Sequence, residues 1–330
     1  MYGIGNKAMD DKDFTRAVAA IKDDRTSGAG ALARQCLALL AQSGASAPSN
    51  SVSELWRILD IRAGELAAVR PSMAPVGNLV ARWRDSVGDS DAPGGSNLDR
   101  LRNVATEAAK RISAESEAAT ARVAARACDY MREFLGADRR DRPSNQKPAV
   151  LTLSWSGVVA EALTSLHGLE VEVVVAESRP LNEGANLARY LAEHGLTVTL
   201  ITDAQLSLFA EQVDMALCGA DTLFSDGAIL NKVGTRLMAL AMADANRPLV
   251  AACESFKTIS ARGQGREDGA PPLEEMPENE LGYGKSTPFD IRNIYFEVTP
   301  ARLIATWCTE IGIAHAPAGL NRLSNPSSLT

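Results

Sequence analysis

Apolar residues in the second half of the chain form short continuous runs, and segments with helical spacing lie between them. The runs predict strands at residues 149–154, 171–176, 197–201, 213–218 and 248–252. The intervening segments predict helices at residues 157–166, 184–194, 204–211 and 235–245. Strands that alternate with helices indicate a parallel sheet with right-handed crossovers, and continuous apolar runs are typical of strands buried on both faces.

The first part of the chain shows the helical pattern without strands. Apolar positions between Phe14 and Ile21 recur at helical spacing, which predicts an amphipathic helix. Ser51 and Glu54 have the spacing of a capping box at a helix start. Neither glycine nor proline interrupts residues 98–135, so one long helix is expected there.

The change of pattern predicts two domains. A charged linker separates a helical N-terminal domain, residues 1–138, from a Rossmann-like α/β domain, residues 139–330. Residues 261–288 are rich in glycine, proline and glutamate, which predicts a long functional or mobile loop. Residues 295–298 and 302–311 are predicted to close the second domain as a strand and a helix.

Composition and charge argue against several classes of partner for this protein. Hydrophobic residues make up 45% of the chain and charged residues 23%, as in ordinary globular proteins. The net charge of −7 argues against a nucleic-acid partner. No apolar run has the length of a membrane span or signal peptide, so a cytoplasmic protein without a membrane partner is expected. The five cysteines show no C-x-x-C spacing and the three histidines lie apart, so we expect buried thiols, no metal and no cofactor.

The segment VDMALCGADTLFSDGAILNKVGT, residues 213–235, carries the most informative polar groups. Asp221 follows a predicted strand, and Asn231 and Lys232 precede a predicted helix start. Strand ends in α/β sheets gather binding groups and helix N-termini attract anions, so the segment predicts a phosphate-containing ligand. Asp221 fits equally a turn residue that accepts backbone amides. Lys232 and Asn231 also fit a simple helix start, although the helix dipole disfavours a lysine there unless an anion is bound.

Two further sites of possible anion contact lie earlier in the chain. Gly28, Ala29 and Gly30 predict a helix start whose bare amides can face an anion, and close packing of two helices at glycine is the alternative. Arg70 precedes Pro71, so it lies in extended backbone. Its guanidinium can hold a phosphate through two hydrogen bonds or pair with a surface carboxylate.

Serines occupy the end of the first predicted strand of the second domain. Ser154 and Ser156 lie just before a helix start at Gly157, where their hydroxyls can bind phosphate. Cys218 lies inside an apolar strand and is expected to be an inert core thiol. Lys257 follows another predicted strand, and its pattern fits either the pocket or a partner subunit.

Three segments in order, VRPSMAPVGNL, AESRPLNEGANLARYLAEHGLTVTLITDA and GADTLFSDGAILNKVGT, resemble the family of translation initiation factor 2B α, β and δ subunits. That family includes ribose-1,5-bisphosphate isomerase and methylthioribose-1-phosphate isomerase. The resemblance extends over about residues 17–312. It implies a helical N-terminal domain, a Rossmann-like domain of the ribose-5-phosphate isomerase type that binds a phosphosugar, and a homodimer or higher homo-oligomer.

The resemblance also implies residue roles, drawn in the family's isomerases from both domains. It assigns phosphate contacts to Gly28, Ala29, Gly30 and Arg70, substrate binding to Asn231 and Lys232, and acid–base chemistry to Asp221. This chain departs from the isomerase pattern in three places. Ser154 stands where the isomerases carry a catalytic cysteine, and Ser27 and Glu183 replace an arginine and a glutamine. The changes at Ser27 and Glu183 are closer to the initiation-factor branch.

Two functions are therefore expected as alternatives. The first is an aldose–ketose isomerase acting on a C1-phosphorylated pentose such as ribose 1,5-bisphosphate, with Asp221 and Ser154 as catalytic residues. The second is a non-catalytic regulatory subunit that senses a sugar phosphate or a nucleotide. A serine hydroxyl has a far higher pKa than a thiol, which favours the second function. The retained pocket residues favour the first.

Overall fold

The computed structural model describes residues 9–88, 97–137, 147–259, 274–284 and 287–316. It has the mixed α/β architecture that the sequence predicts, with helices first and a largely parallel sheet afterwards. The chain divides into two compact units after Ala118. The predicted domain boundary at residue 138 lies outside the described residues. So do most of residues 261–288, where only 274–284 and 287–288 are described.

The first unit consists of helices. They are α1 Asp11–Asp23, α2 Ala29–Ser46, α3 Val52–Ala67, α4 Ala74–Gly88 and the first part of α5 Leu98–Ala137. Asp10 caps α1 by accepting the amide of Asp13 at 2.8 Å, and Ser51 caps α3 by accepting the amide of Glu54 at 3.2 Å. Trp83 of α4 is fully buried, and its indole nitrogen donates to the carbonyl of Ala105 at 2.9 Å.

The second unit alternates strands and helices. The strands are β1 Ala149–Leu153, β2 Glu172–Ala176, β3 Thr197–Ile201, β4 Met215–Cys218, β5 Thr222–Phe224, β6 Ile229–Lys232, β7 Leu249–Ala252, β8 Thr258–Ile259, β9 Phe296–Thr299, β10 Thr306–Cys308 and β11 Ile313–His315. The helices are α6 Gly157–Thr164, α7 Glu183–Glu193, α8 Leu206–Ala210 and α9 Thr235–Asp244. The five predicted strands of the parallel sheet and the helices between them are thereby confirmed to within a few residues.

The main sheet has the strand order β11-β10-β7-β4-β1-β2-β3, and every pairing except β10 with β11 is parallel. Alternate residues of β1 enter different cores. Val150 packs in one buried cluster with Val123 and Met131 of α5, whereas Leu151 packs in the other with Met238 of α9. Both faces are covered, which explains why these strands are continuously apolar.

A smaller sheet, in the order β8-β5-β6-β9, follows the carboxyl end of β4. The β5–β6 hairpin is antiparallel, with Thr222 opposite Leu230. Strand β9 lies on the other side of β6, with Asn231 opposite Glu297. This arrangement carries the polar segment after β4 beyond the edge of the main sheet.

The helix predicted at residues 302–311 is wrong. A 3-10 turn covers Ala301–Leu303, and Thr306–Cys308 forms strand β10 instead. Strand β10 pairs with β7, where Thr306 lies opposite Val250, 56 residues earlier, so hydrogen bonds remote in sequence outweigh the local helical spacing. Among the described residues, no helix is long and apolar enough to cross a membrane.

Helix α7 lies unusually close to the end of β2. A Cβ atom at Gly184 would lie 1.8 Å from the carbonyl oxygen of Ala176, a distance that no side chain can occupy. The amide of Gly184 donates to the carbonyl of Glu177 at 3.1 Å. Glycine is therefore required for the start of α7, and it sets the position of the neighbouring Glu183.

Candidate functional site

The carboxyl ends of β1 and β4 bring several predicted residues together. The parallel pairing of Leu151 with Ala216 brings the residues that follow β1 and β4 to the same edge of the sheet. Ser156 caps α6, and a Cβ atom at Gly219 would lie 2.6 Å from its hydroxyl oxygen. The predicted residues Ser154 and Ser156 thus lie at the same edge as the turn that leads to Asp221.

Ser154 has a backbone conformation that is rare for residues other than glycine. Its φ angle is 59°, in the left-handed region, which costs on the order of 1–3 kcal/mol. The amide of Ser154 donates to the hydroxyl of the buried Ser178 at 2.7 Å. The amide of Ser178 in turn donates to the Asp203 carboxylate at 2.9 Å. The ends of β1, β2 and β3 together hold this serine in place.

Asp221 and Asn231 lie at the same end of the β5–β6 hairpin. Thr222 pairs with Leu230, the residue before Asn231, and Asp221 directly precedes this pair. The amide of Asp221 donates to the carbonyl of Leu230 at 2.9 Å. The side-chain amide of Asn231 donates to the hydroxyl of Thr235 at 3.0 Å. The structure therefore brings together the acid and the amide that the sequence singled out.

Lys232 lies on strand β6, not at a helix start as predicted. Its Nζ atom lies 2.8 Å from Oε1 of Glu183 and 4.2 Å from the centre of the Tyr295 ring. The Lys232 residue is only 4% exposed, so this ion pair is well shielded from water. The positive charge of Lys232, which the sequence suggested for binding a phosphate, is therefore already neutralised by Glu183. Because Lys232 does not lie at a helix start, the helix-dipole argument for a bound anion does not apply.

The backbone amides at the start of α9 already have a carboxylate acceptor within the protein. Oε1 of Glu297 accepts the amides of Gly234 at 2.7 Å and Arg236 at 2.9 Å. A carboxylate of the protein therefore satisfies two of the amides that the sequence predicted for an anion. Strand β9 delivers this carboxylate from a remote part of the chain, so no local pattern reveals it.

In the first unit, Gly28 precedes α2 as its N-cap and makes no side-chain capping bond. The predicted helix start with Ala29 and Gly30 in its first turn is confirmed. Arg70 is buried, and its Nη1 atom donates to the carbonyl of Asp24 at 2.9 Å.

Asp24 stabilises the loop that leads to this helix start. Burial alone would raise the pKa of Asp24, but hydrogen bonds from Ser27 and Thr26 outweigh it and lower the pKa well below its usual range. Its Oδ1 atom accepts the amide of Thr26 at 2.7 Å and that of Ser27 at 2.9 Å. Arg70 and Asp24 together give the loop before α2 a fixed conformation.

Lys257 also belongs to this site, although its sequence pattern fitted either the pocket or a partner subunit. Its Nζ atom lies 2.8 Å from the carbonyl oxygen of Ala220 and 2.8 Å from Oε2 of Glu254. Burial by itself would lower the pKa of Lys257, but the charges of Glu254 and Asp221 overcome this and raise it. The sequence contains one signal that points to this lysine, because Glu254 and Lys257 lie three residues apart shortly after a buried strand.

The cysteines take no part in the site. All five are free and buried, as expected. Burial raises the pKa of Cys218 far above the physiological range, which is the behaviour of an inert core thiol. Within the described ranges, no group of three or more His, Cys, Asp or Glu side chains is placed to hold a metal ion.

The fold and site define an α/β protein with a carboxylate, an amide and two buried lysines beyond the edge of a parallel sheet. The chain belongs to the initiation factor 2 subunit family, which it matches over residues 25–316. It is 28% identical to a ribose 1,5-bisphosphate isomerase of Thermococcus kodakarensis, with 94% of each chain covered.

Two other similarities are informative. The chain is 27% identical to a methylthioribose-1-phosphate isomerase of Syntrophus aciditrophicus, with 94% of this chain and 89% of the relative covered. It also matches the crystal structure of a Pyrococcus horikoshii translation initiation factor eIF-2B with a TM-score of 0.73 and 25% identity, covering 92% of this chain and 97% of that one. Relatives with isomerase names and with initiation-factor names therefore share this fold.

Proposed function

We propose that the protein is a sugar-phosphate isomerase that converts a C1-phosphorylated pentose of the ribose 1,5-bisphosphate type into the corresponding ketose. The observation that carries the proposal is the Asp221 carboxylate just after β4, on a turn held by hydrogen bonds to Leu230 and from Lys257. A carboxylate held in place at a strand end is suited to proton transfer. The isomerase names of relatives that cover nearly the whole chain support the same reaction.

The reaction needs one proton removed and one added. A pentose phosphorylated at C1 cannot open spontaneously to an aldehyde, because its anomeric oxygen is blocked. As the bond between C1 and the ring oxygen breaks, the ring oxygen gains a proton. The hydrogen at C2 then moves to C1 with its electron pair, as a hydride, and the 2-hydroxyl loses its proton as the ketone forms. In this proposal water supplies the proton to the ring oxygen, to which the Ser154 hydroxyl donates a hydrogen bond, and the Asp221 carboxylate takes the proton of the 2-hydroxyl and returns it to water after turnover.

Further binding groups are proposed within each unit, taken separately. Gly28, Ala29 and Gly30 at the start of α2, together with Arg70, are proposed as phosphate contacts in the first unit. In the second unit, Ser156 at the start of α6 is proposed as a further phosphate contact. Asn231 and Lys232 are proposed to bind the sugar. The Glu183–Lys232 ion pair suits a sugar hydroxyl better than a second phosphate at this position, because Lys232 carries no unpaired charge there.

The alternative function is a non-catalytic regulatory subunit that binds a sugar phosphate or nucleotide. Ser154 favours it, since a hydroxyl is a much weaker acid than the thiol that the resemblance implies at this position. We further propose a homo-oligomer in the cytoplasm, and a second domain of the ribose-5-phosphate isomerase type.

Incubation with ribose 1,5-bisphosphate and with methylthioribose 1-phosphate, followed by NMR, tests the proposed function directly. We expect a ketose product from at least one of the two sugars. Thermal stabilisation by both compounds without any ketose would reject the isomerase function and support the regulatory subunit.

In that case, thermal stabilisation should also be measured for the variant Asn231→Ala. This variant removes a proposed sugar contact, so the stabilisation by the sugar is expected to be smaller.

Glu183→Gln is expected to tighten the binding of inorganic phosphate by about tenfold, because the amide oxygen keeps the hydrogen bond to Lys232 and the competing negative charge is lost. Isothermal titration calorimetry measures this change. Glu193→Gln is the matched control, since Glu193 is exposed at the other end of the same helix. Equal affinities of the two variants would show that the charge of Glu183 is not what keeps phosphate from Lys232.

A further inference from the structure

Lys257 is buried beside the proposed proton-transfer group, and the proposed chemistry does not use it. Only 6% of its surface is exposed, its ammonium group lies 2.8 Å from the Glu254 carboxylate, and the charge of Asp221 also acts on it. We propose that Lys257 is a positioning residue for Asp221, fixing the turn through the Ala220 carbonyl and stabilising the ionised carboxylate. This inference rests on the proposed function, because Asp221 is the proton acceptor in it.

The geometric part of the inference concerns the turn between β4 and β5. Ala220 immediately precedes Asp221, and its carbonyl oxygen accepts a hydrogen bond from Nζ of Lys257 at 2.8 Å. On the other side of Asp221, its amide donates to the carbonyl of Leu230 at 2.9 Å. The backbone is therefore held on both sides of the carboxylate, so the side chain starts from a fixed position.

Lys257 is itself held by a chain of contacts. Oε2 of Glu254 lies 2.8 Å from its Nζ atom, and Oε1 of Glu254 accepts the hydroxyl of Thr120 at 2.6 Å. Burial alone would raise the pKa of Glu254, but the charge of Lys257 outweighs this and lowers it. Next to this pair, the Glu310 carboxylate accepts the amide of Ser255 at 2.8 Å, which fixes the turn that carries Lys257.

Charge explains why a lysine occupies this position. A buried ion pair is often replaceable by apolar side chains without loss of stability, so Glu254 and Lys257 are not needed merely to fill space. The carboxylates whose charges act on Lys257 are those of Glu254 and Asp221, and the nearby Cys253 is a neutral thiol because burial raises its pKa to about 12. The Lys257 ammonium thus attracts two carboxylates. The attraction between Lys257 and Asp221 stabilises the charged form of both groups, because the interaction of two charges acts equally on each. An apolar residue at position 257 would leave Asp221 without this counter-charge.

The decisive comparison is between Glu254→Gln and the double variant Glu254→Gln, Lys257→Met. Both lack the Glu254 charge, so neither contains a buried carboxylate at position 254 without its partner, and they differ only at position 257. The pKa of Asp221 is measured from the pH dependence of its carboxyl carbon signal in protein labelled with 13C-aspartate, assigned with Asp221→Asn. We expect the pKa of Asp221 to be higher by about one unit or more in the double variant.

The pH dependence of turnover supplies the second measurement. Asp221 must be ionised to accept a proton, so a higher pKa moves the acidic limb of the rate profile to higher pH by the same amount. Lys257→Arg keeps the charge and is expected to retain an Asp221 pKa near that of the unaltered protein. Circular dichroism checks that each variant is folded.

The outcomes separate this inference from the proposed function. An Asp221 pKa that is unchanged, within about 0.3 units, between the two folded Glu254→Gln variants would overturn the role of Lys257. A shifted pKa in a protein that produces no ketose from either C1-phosphorylated sugar would support the role of Lys257 and overturn the isomerase. A shifted pKa with a matching shift of the acidic limb supports both.

Discussion

Replacement of Asp221 by asparagine is expected to slow ketose formation by about 10²–10⁴-fold, the usual contribution of a positioned acid or base. Asparagine has the same shape as aspartate and cannot accept the proton of the 2-hydroxyl. Lys257 keeps Glu254 as its partner in this variant, so the turn is expected to stay folded. The rate is measured by NMR with saturating sugar, and ligand affinity is expected to change by only a few-fold.

Asp226→Asn is the matched control for this variant. Asp226 is exposed in the β5–β6 turn, and its Oδ1 atom accepts the amide of Ala228 at 2.9 Å, a bond that asparagine can retain. Both variants remove one negative charge from the same hairpin. An equal loss of rate in the two variants, or no loss with Asp221→Asn, would exclude Asp221 as the proton acceptor.

Gly184→Ala is expected to lower the free energy of unfolding by about 3 kcal/mol, at the upper end of the cost of forcing extra atoms into a packed site. The added methyl group would lie 1.8 Å from the carbonyl oxygen of Ala176, and this neighbour is backbone, which cannot rotate away. Helix α7 would have to move, and Glu183 with it. Urea unfolding monitored by circular dichroism measures the loss.

Gly136→Ala is the corresponding control. Gly136 lies near the end of α5, and a Cβ atom there would have no neighbour within 4 Å. Alanine is the better helix former, so stability is expected to stay the same or rise by up to about 1 kcal/mol. A similar loss in both variants would mean that the close approach at Gly184 does not determine the stability of the second unit.

The fold was largely predictable because its strongest signals are local. The strand at residues 149–154 was predicted from an apolar run, and β1 covers Ala149–Leu153. The uninterrupted stretch after residue 98 was predicted to be one helix, and α5 covers Leu98–Ala137. The secondary-structure prediction was wrong at β10. The backbone hydrogen-bond partners of β10 lie on β7 and β11, and the spacing of apolar residues within β10 does not reveal them.

The candidate site was only partly predictable for the same reason. Asp221 and Asn231 were identified from one short segment, and both lie at the same end of the β5–β6 hairpin. The partner of Lys232 was not identified, because Glu183 lies 49 positions away in the chain. Lys257 was left undecided, since its contact with Ala220 spans 37 positions. Residue types indicate which groups are available for chemistry, but only tertiary structure shows which of them are already neutralised.

The Glu297 carboxylate at the start of α9 is an anion tethered to the chain. A free phosphate that approached these amides would compete with a ligand whose effective concentration is fixed by the fold and does not fall on dilution. A high phosphate concentration is therefore needed to displace the carboxylate from this helix start. Of the three helix starts that the sequence suggested as anion sites, α9 is capped by Glu297 and α6 by Ser156, whereas α2 carries no side-chain cap.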